Sequence, residues 1–313
     1  MAKEEKEPWL LNQSKPRTHD LTSGALGVLL RVSTLNSRSD KWSIVVRSKI
    51  SLFFFYLLVL FLPTQLGKHF FPEFSFVFGL RIDYLSPTVY LTDIFIFLIF
   101  VFSIKSIFKT LFSKYIKEIL YFVLFIIFLF IGANLSKNPS AGYYSILKLL
   151  EFIYLAVFVY LNSKKIDKIK LAACLGFGIL FESILAIVQY FNQGSLQNIF
   201  YFLGERKFNS QTPGIANASV NGGLILRPYG TFSHPNVLAG YLCLSSVFLL
   251  SLKLRINKYL VLIILLFATF GIFISLSRTA VFGWVLFVLL FFVFSIFEKY
   301  KKDKLNRSKD KLQ

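Results

Sequence analysis

The chain is short of the residues that metal, redox and disulfide-stapled proteins rely on. It has two cysteines, Cys174 and Cys243, both inside apolar runs. They read as small buried hydrophobes, with neither a disulfide framework nor a metal-ligand spacing. Three scattered histidines argue against a multi-histidine metal centre, so no metal and no cofactor is expected. There is no P-loop, no dinucleotide-binding fingerprint and no internal repeat. Met1 is the only methionine, so any later translation start would need another codon. No cleavable signal peptide is evident: the first 49 residues are polar and basic, and 21–30 is too short and too glycine-rich for its apolar core. Only 16% of residues are charged, which a soluble domain with this much apolar content would not tolerate.

What is abundant is apolar and aromatic: 55% of the chain is hydrophobic, 18% aromatic, and the mean hydropathy is +0.63. Eight apolar segments fall at roughly 50–66, 89–104, 119–135, 142–161, 171–190, 237–252, 259–275 and 279–297. Most are long enough to cross a hydrocarbon core about 30 Å thick. In lipid each must be helical, because its backbone polar groups find no water there. The expected fold is therefore all-α and polytopic, with about eight transmembrane helices. A basic cytosolic tail (1–49), expected to be disordered, precedes the membrane domain (50–297), and a second basic tail (298–313) follows it.

The net charge of +19 would point to nucleic acid in a soluble chain. Here it encodes topology, and no nucleic-acid partner is expected. Of the 35 lysines and arginines, 27 fall in the two tails and in three loops, 105–118, 162–170 and 253–258, which alternate with the other loops. The positive-inside rule then puts both termini in the cytosol and loop 191–236 outside.

The eight remaining cations carry information because topology does not call for them. Lys148 and Glu151 lie three apart in one apolar segment. A mutual ion pair is the expected arrangement, with contact to a charged substrate as the alternative. Glu182 in the fifth segment reads as a packing polar group or as part of a polar cavity. The long loop 191–236 is rich in glycine, proline, asparagine and serine, so it reads as irregular. Its Glu205-Arg206-Lys207 cluster makes Arg206 a substrate-binding candidate, with a Glu205–Arg206 pair as the plainer reading.

Arg227 and Arg278 fall at the outer ends of neighbouring helices, where a planar guanidinium fork suits phosphate. Snorkelling to lipid headgroups is the simpler reading. His234-Pro235-Asn236 looks like a helix start, with Asn236 the expected cap. His234 is a candidate general base or phosphate ligand, set against a purely structural role.

The stretch "LRPYGTFSHPNVLAGYL", followed by a helix, a basic turn, another helix and "SLSRTAVFGW", resembles the O-antigen ligase family, which includes O-antigen polymerases. The upstream "LLKLLEFIYLAVFVY" and "ILAIVQYFNQGS" fit the same order. The resemblance spans about 50–297 and is densest over 201–284. It implies a metal-independent glycosyltransferase of GT-C-like fold in the bacterial plasma membrane. Such an enzyme moves a glycan from undecaprenyl diphosphate to a lipid or glycan acceptor at the outer face. By matching position, Arg227 and Arg278 inherit the diphosphate grip, with Asn236 shaping the loop beside them. The chain departs from the family in stopping at Gln313, before the family's second large outer loop and its histidine. It reads as such an enzyme or only its N-terminal part, a separate chain being one source of the rest; the alternatives are a polar-lipid transporter and an inactive fragment. His234 does not inherit that histidine's role.

Overall fold

The computed structural model describes residues 45–82, 85–220, 222–252 and 257–310, with 302–310 by backbone alone. The tail expected over 1–49 lies outside the described residues up to position 44, as do 311–313 of the second tail and Lys253 and Arg255 of the last basic loop; residues 45–49, expected to be disordered, are instead helical, because the first helix carries Arg47 and Lys49 ahead of its apolar run.

The described chain is mostly helical. Helix α1 covers residues 45–60. There follow α2 (Leu91–Lys114), α3 (Ile116–Asn134), α4 (Pro139–Asn162), α5 (Lys168–Asn192), α6 (Pro235–Ser251), α7 (Lys258–Ile274) and α8 (Arg278–Asp310). Five of them, α2 to α5 and α8 over Arg278–Lys301, are long and apolar enough to cross a membrane, and they mark a membrane protein. Helices α6 and α7 are apolar but shorter.

Local chemistry explains where the helices begin. Asn138 accepts from Ala141 N ahead of Pro139, Asp167 from Ile169 N and Lys170 N, and Asn257 from Tyr259 N. Each side chain satisfies amides that have no partner inside the helix. At the start of α2, Asp93 takes the Tyr90 N–H at 2.8 Å. The same carboxylate pairs with Lys148 on α4, which also reaches Glu151 at 3.2 Å. The expected Lys148–Glu151 pair is therefore present, with Asp93 as a third member joining α2 to α4.

Helix α5 is the central element. One apolar core joins it to α1, α2 and α4 through Phe55, Ile99, Phe158 and Leu175. A second joins it to α6, α7 and α8 through Ile179, Leu242, Ile272 and Trp284. More than half of its span is buried, whereas α3 buries almost none of its own.

Two expectations need correction. The fold is not purely helical: the loops add three antiparallel strand pairs. These are β1 (Gly67–His69) with β4 (Thr88–Tyr90), β2 (Phe76–Val77) with β3 (Leu80–Arg81), and β5 (Asn217–Val220) with β6 (Gly223–Leu226). A long segment folded back at a membrane boundary must pair its own backbone groups, and short hairpins do so. The basic loop 105–118 is mostly helix. No glycine or proline interrupts it, so α2 carries Lys105, Lys109 and Lys114 on its last turns and breaks only at Tyr115 (φ −127°, ψ 34°).

Gly230 tests the packing of the long loop. Its φ is +59°, and a Cβ there would overlap the Glu182 carboxylate and stand 3.1 Å from Leu238. Gly230→Ala should destabilise the detergent-solubilised protein by on the order of 2 kcal/mol or more, from the left-handed backbone and the overlap together. Gly240→Ala in α6 meets nothing within 4 Å. Thermal unfolding should show it neutral or stabilised.

Candidate functional site

Loop 191–236 is ordered by two polar side chains on α5, at 182 and 189, and by the α5 C-cap, Gln193. Gln189 is fully buried, and its amide uses every hydrogen-bonding position it has. Its Oε1 accepts from Tyr229 N (3.0 Å) and Gly230 N (2.7 Å), and its Nε2 donates to Gly230 O (3.0 Å) and Glu205 Oε1 (2.8 Å). Two turns earlier, Glu182 takes Thr231 N at 3.0 Å, and the Thr231 hydroxyl lies 2.7 Å from Glu182 Oε1 and 2.5 Å from the Pro63 carbonyl. Gln193 accepts from Leu226 N at 2.8 Å. These contacts hold residues 226–231 against the end of the central helix.

Glu205 extends the same network. It is buried and accepts from Leu196 N (2.8 Å) and Gln197 N (2.6 Å) as well as from Gln189. That is where its charge is satisfied, so the Glu205–Arg206 pairing anticipated from sequence is replaced by backbone amides. Beneath the loop, Phe208, Leu226 and Tyr229 form a small apolar core. The Tyr229 hydroxyl accepts from Ala216 N at 2.8 Å.

Arg227 is the next residue along. It is half-buried; its Nε donates to the Ser275 carbonyl at 2.7 Å and its Nη2 to Asn236 Oδ1 at 2.5 Å. Ser275 caps the C-terminus of α7, where the helix dipole favours a cation. Asn236 lies in the first turn of α6. Arg227 thus ties the end of one helix to the start of another, and its other N–H donors have no partner among the described residues. Burial draws its pKa down from the ordinary arginine value. A guanidinium remains charged at any physiological pH.

His234 is the N-cap of α6, its Nδ1 accepting from Asn236 N at 3.1 Å. The capping role expected of Asn236 therefore falls to His234, while the Asn236 side chain goes to Arg227. With Nδ1 used as an acceptor, the neutral ring carries its proton on Nε2. Burial, and then the nearby Arg227 charge, lower the His234 pKa. The neutral ring is thus a capping acceptor at Nδ1 and a donor at Nε2.

Arg278 is the first residue of α8 and is exposed. It follows Ser275 by three residues, within about 11 Å of chain. A cation at a helix N-terminus is opposed by the dipole, so this end favours an added anion. Arg206 is also exposed; its backbone carbonyl accepts from Gln197 Nε2. Arg227, Asn236 and His234 are therefore brought together and Arg278 is placed nearby, while Arg206 stands on another turn. Sequence reading missed Gln189, although a glutamine inside an otherwise apolar helix just ahead of a long loop was the available signal. Among the described residues, no three His, Cys, Asp or Glu side chains gather as a metal site.

Comparison with protein families, curated proteins and solved structures gave no match for this chain.

His234 generates a pH prediction. Its folded pKa lies below its unfolded value, near 6.5, so the unfolded chain binds the extra proton first. Stability from this group is complete above that value and declines as pH falls through it towards the folded value. Unfolding temperature should therefore drop between pH 7.5 and 5. His234→Asn, which keeps a capping side chain, should flatten the part of that slope due to this residue; an unchanged slope would remove His234 as its source.

Proposed function

We propose that the chain is a membrane glycosyltransferase of the O-antigen ligase type, or the N-terminal part of one. It moves a glycan from undecaprenyl diphosphate to a lipid or glycan acceptor at the outer face of the bacterial plasma membrane. In this reading eight helices of a GT-C-like fold cross the bilayer, with both termini in the cytosol. The observation that carries it is Arg227: its fork is fixed at two points and keeps further donors, beside the starts of α6 and α8. Cationic side chains next to helix N-termini bind phosphate oxygens, and arginine does so with little loss of side-chain freedom once held.

In this mechanism Arg227 and Arg278 grip the diphosphate, which becomes the leaving group as the acceptor hydroxyl attacks the sugar carbon. Negative charge builds on the departing oxygen, so positioned cations lower the barrier. Asn236 keeps the Arg227 fork oriented. The base for the acceptor hydroxyl is left to another group, supplied by a partner chain if this one is a fragment. A polymerase differs only in acceptor. Transport of a polar lipid is disfavoured, because the charged groups within the helices already satisfy one another or the loop: Lys148 with Asp93 and Glu151, and Glu182 with Thr231.

Arg278→Ala is the clean test, because the side chain is exposed. It should leave thermal stability unchanged and slow transfer by about 10- to 100-fold, the worth of one charge-assisted contact. Undecaprenyl-linked glycan should then accumulate in cells. Arg227→Lys keeps the charge and loses the fork, and should impair transfer as well. Normal glycan transfer by both variants would refute the assignment.

A further inference from the structure

At the end of the bundle opposite Arg227, α3 stands away from its neighbours. Helices α2 and α4 run side by side in the same direction, as the Asp93–Lys148 pair and the Ser103–Tyr154 contact (2.7 Å) fix. Helix α3 returns between them after the break at Tyr115 and leans mainly on α4. The three helices leave a groove of about 550 Å³. Its walls are apolar, with Phe108, Phe122, Ile153 and Val157 among them. Tyr154 also lines it, but its hydroxyl is spent on Ser103. Such a surface suits an alkyl chain better than a glycan.

The groove runs from Phe100 to Tyr115 along α2, about 22 Å at 1.5 Å per residue. One leaflet of a 30 Å hydrocarbon core supplies about 15 Å, so the groove is deep enough to take a whole acyl chain. Its mouth lies at the end lined by Tyr115 and Tyr160. In sequence, Lys114 and Lys117 flank Tyr115, and Lys164 and Lys165 follow Tyr160 by about one turn; all four are exposed. The local acids are Glu118 on the groove wall and Asp167. The Asp167 carboxylate is engaged in capping α5. The balance at the mouth is cationic.

We propose that this groove is a specific site for an anionic glycerophospholipid of the leaflet on the lysine-rich side. One acyl chain lies between α2, α3 and α4, and the phosphate headgroup meets the four lysines. The lipid fills the gap that keeps α3 from packing on α2, and so holds α3 against the bundle. The site lies away from Arg227 and does not depend on the glycosyltransferase reading.

The test uses the purified full chain in detergent, given equimolar phosphatidylglycerol and phosphatidylcholine with identical acyl chains, with retained lipid read by native mass spectrometry. Phosphatidylglycerol should be retained in preference by about tenfold or more at low salt, since each basic residue near a headgroup contributes about fivefold. The preference should shrink as salt rises. Ile153→Trp, which fills the groove and leaves every lysine in place, should abolish retention. Leu262→Trp, on an exposed face of α7, should retain lipid like the unaltered chain. Equal retention of the two lipids would overturn the proposal, as would undiminished phosphatidylglycerol binding by Ile153→Trp.

Discussion

The structure turns on one constraint: a loop folded back at a membrane boundary must find partners for its own backbone. Helix α5 supplies them from its side. Gln189 satisfies two amides and a carbonyl of Tyr229–Gly230 and a carboxylate oxygen of Glu205 at once. Glu182 takes Thr231 two turns earlier. A buried amide or carbonyl left without a partner costs roughly 1–3 kcal/mol, so this knot outweighs most single contacts in the protein. It also explains Gly230, since only a residue without a side chain can lie against the Glu182 carboxylate.

The placement of Arg227 follows from that knot. The loop leaves α5 with residues 226–231 fixed, so Arg227 emerges between the end of α7 and the start of α6. Its bonds to Ser275 and Asn236 then join those two helices. Because α5 belongs to both apolar cores, the loop is referenced to every helix except α3. A group meant to grip a charged ligand needs such support, since a guanidinium on a loose loop would give back its binding energy as lost side-chain freedom. The opposite end is built on another plan, with lysines around an apolar groove and a weakly packed α3.

Much of the helical layout was legible in the sequence. The apolar runs located the helices to within a few residues, except for α1, which starts and ends five to six residues earlier, for α8, and for the lysine-bearing end of α2. Length and apolarity leave little other choice in lipid. The Lys148–Glu151 pair was readable because two opposite charges three apart on one helix face each other. Asp93 was not, because its contact with Lys148 joins two helices. The loop 105–118 misled because lysines were read as loop markers, when a helix can continue past the apolar core with its cations on it. Hairpins in the loops escaped notice because two- to four-residue strands have no periodicity to detect. The exchange of roles between His234 and Asn236 was hidden for a similar reason: both can cap, and the choice depends on where Arg227 reaches. Gln189 shows the limit most clearly. Its type and position were visible, but its partners lie sixteen to forty-one residues away in a loop that sequence alone leaves shapeless.

Hydrogen exchange at three backbone amides, Tyr229, Gly230 and Thr231, tests the central claim most directly. Measured on the full chain in lipid nanodiscs, these amides should exchange far more slowly than the exposed Ser219–Val220 segment of the same loop. Gln189→Leu should release Tyr229 and Gly230 to loop-like rates while amides in the middle of α5 stay protected. If Tyr229 and Gly230 exchange as fast as the rest of the loop in the unaltered protein, α5 does not clasp the loop, and the account of how Arg227 is positioned fails with it.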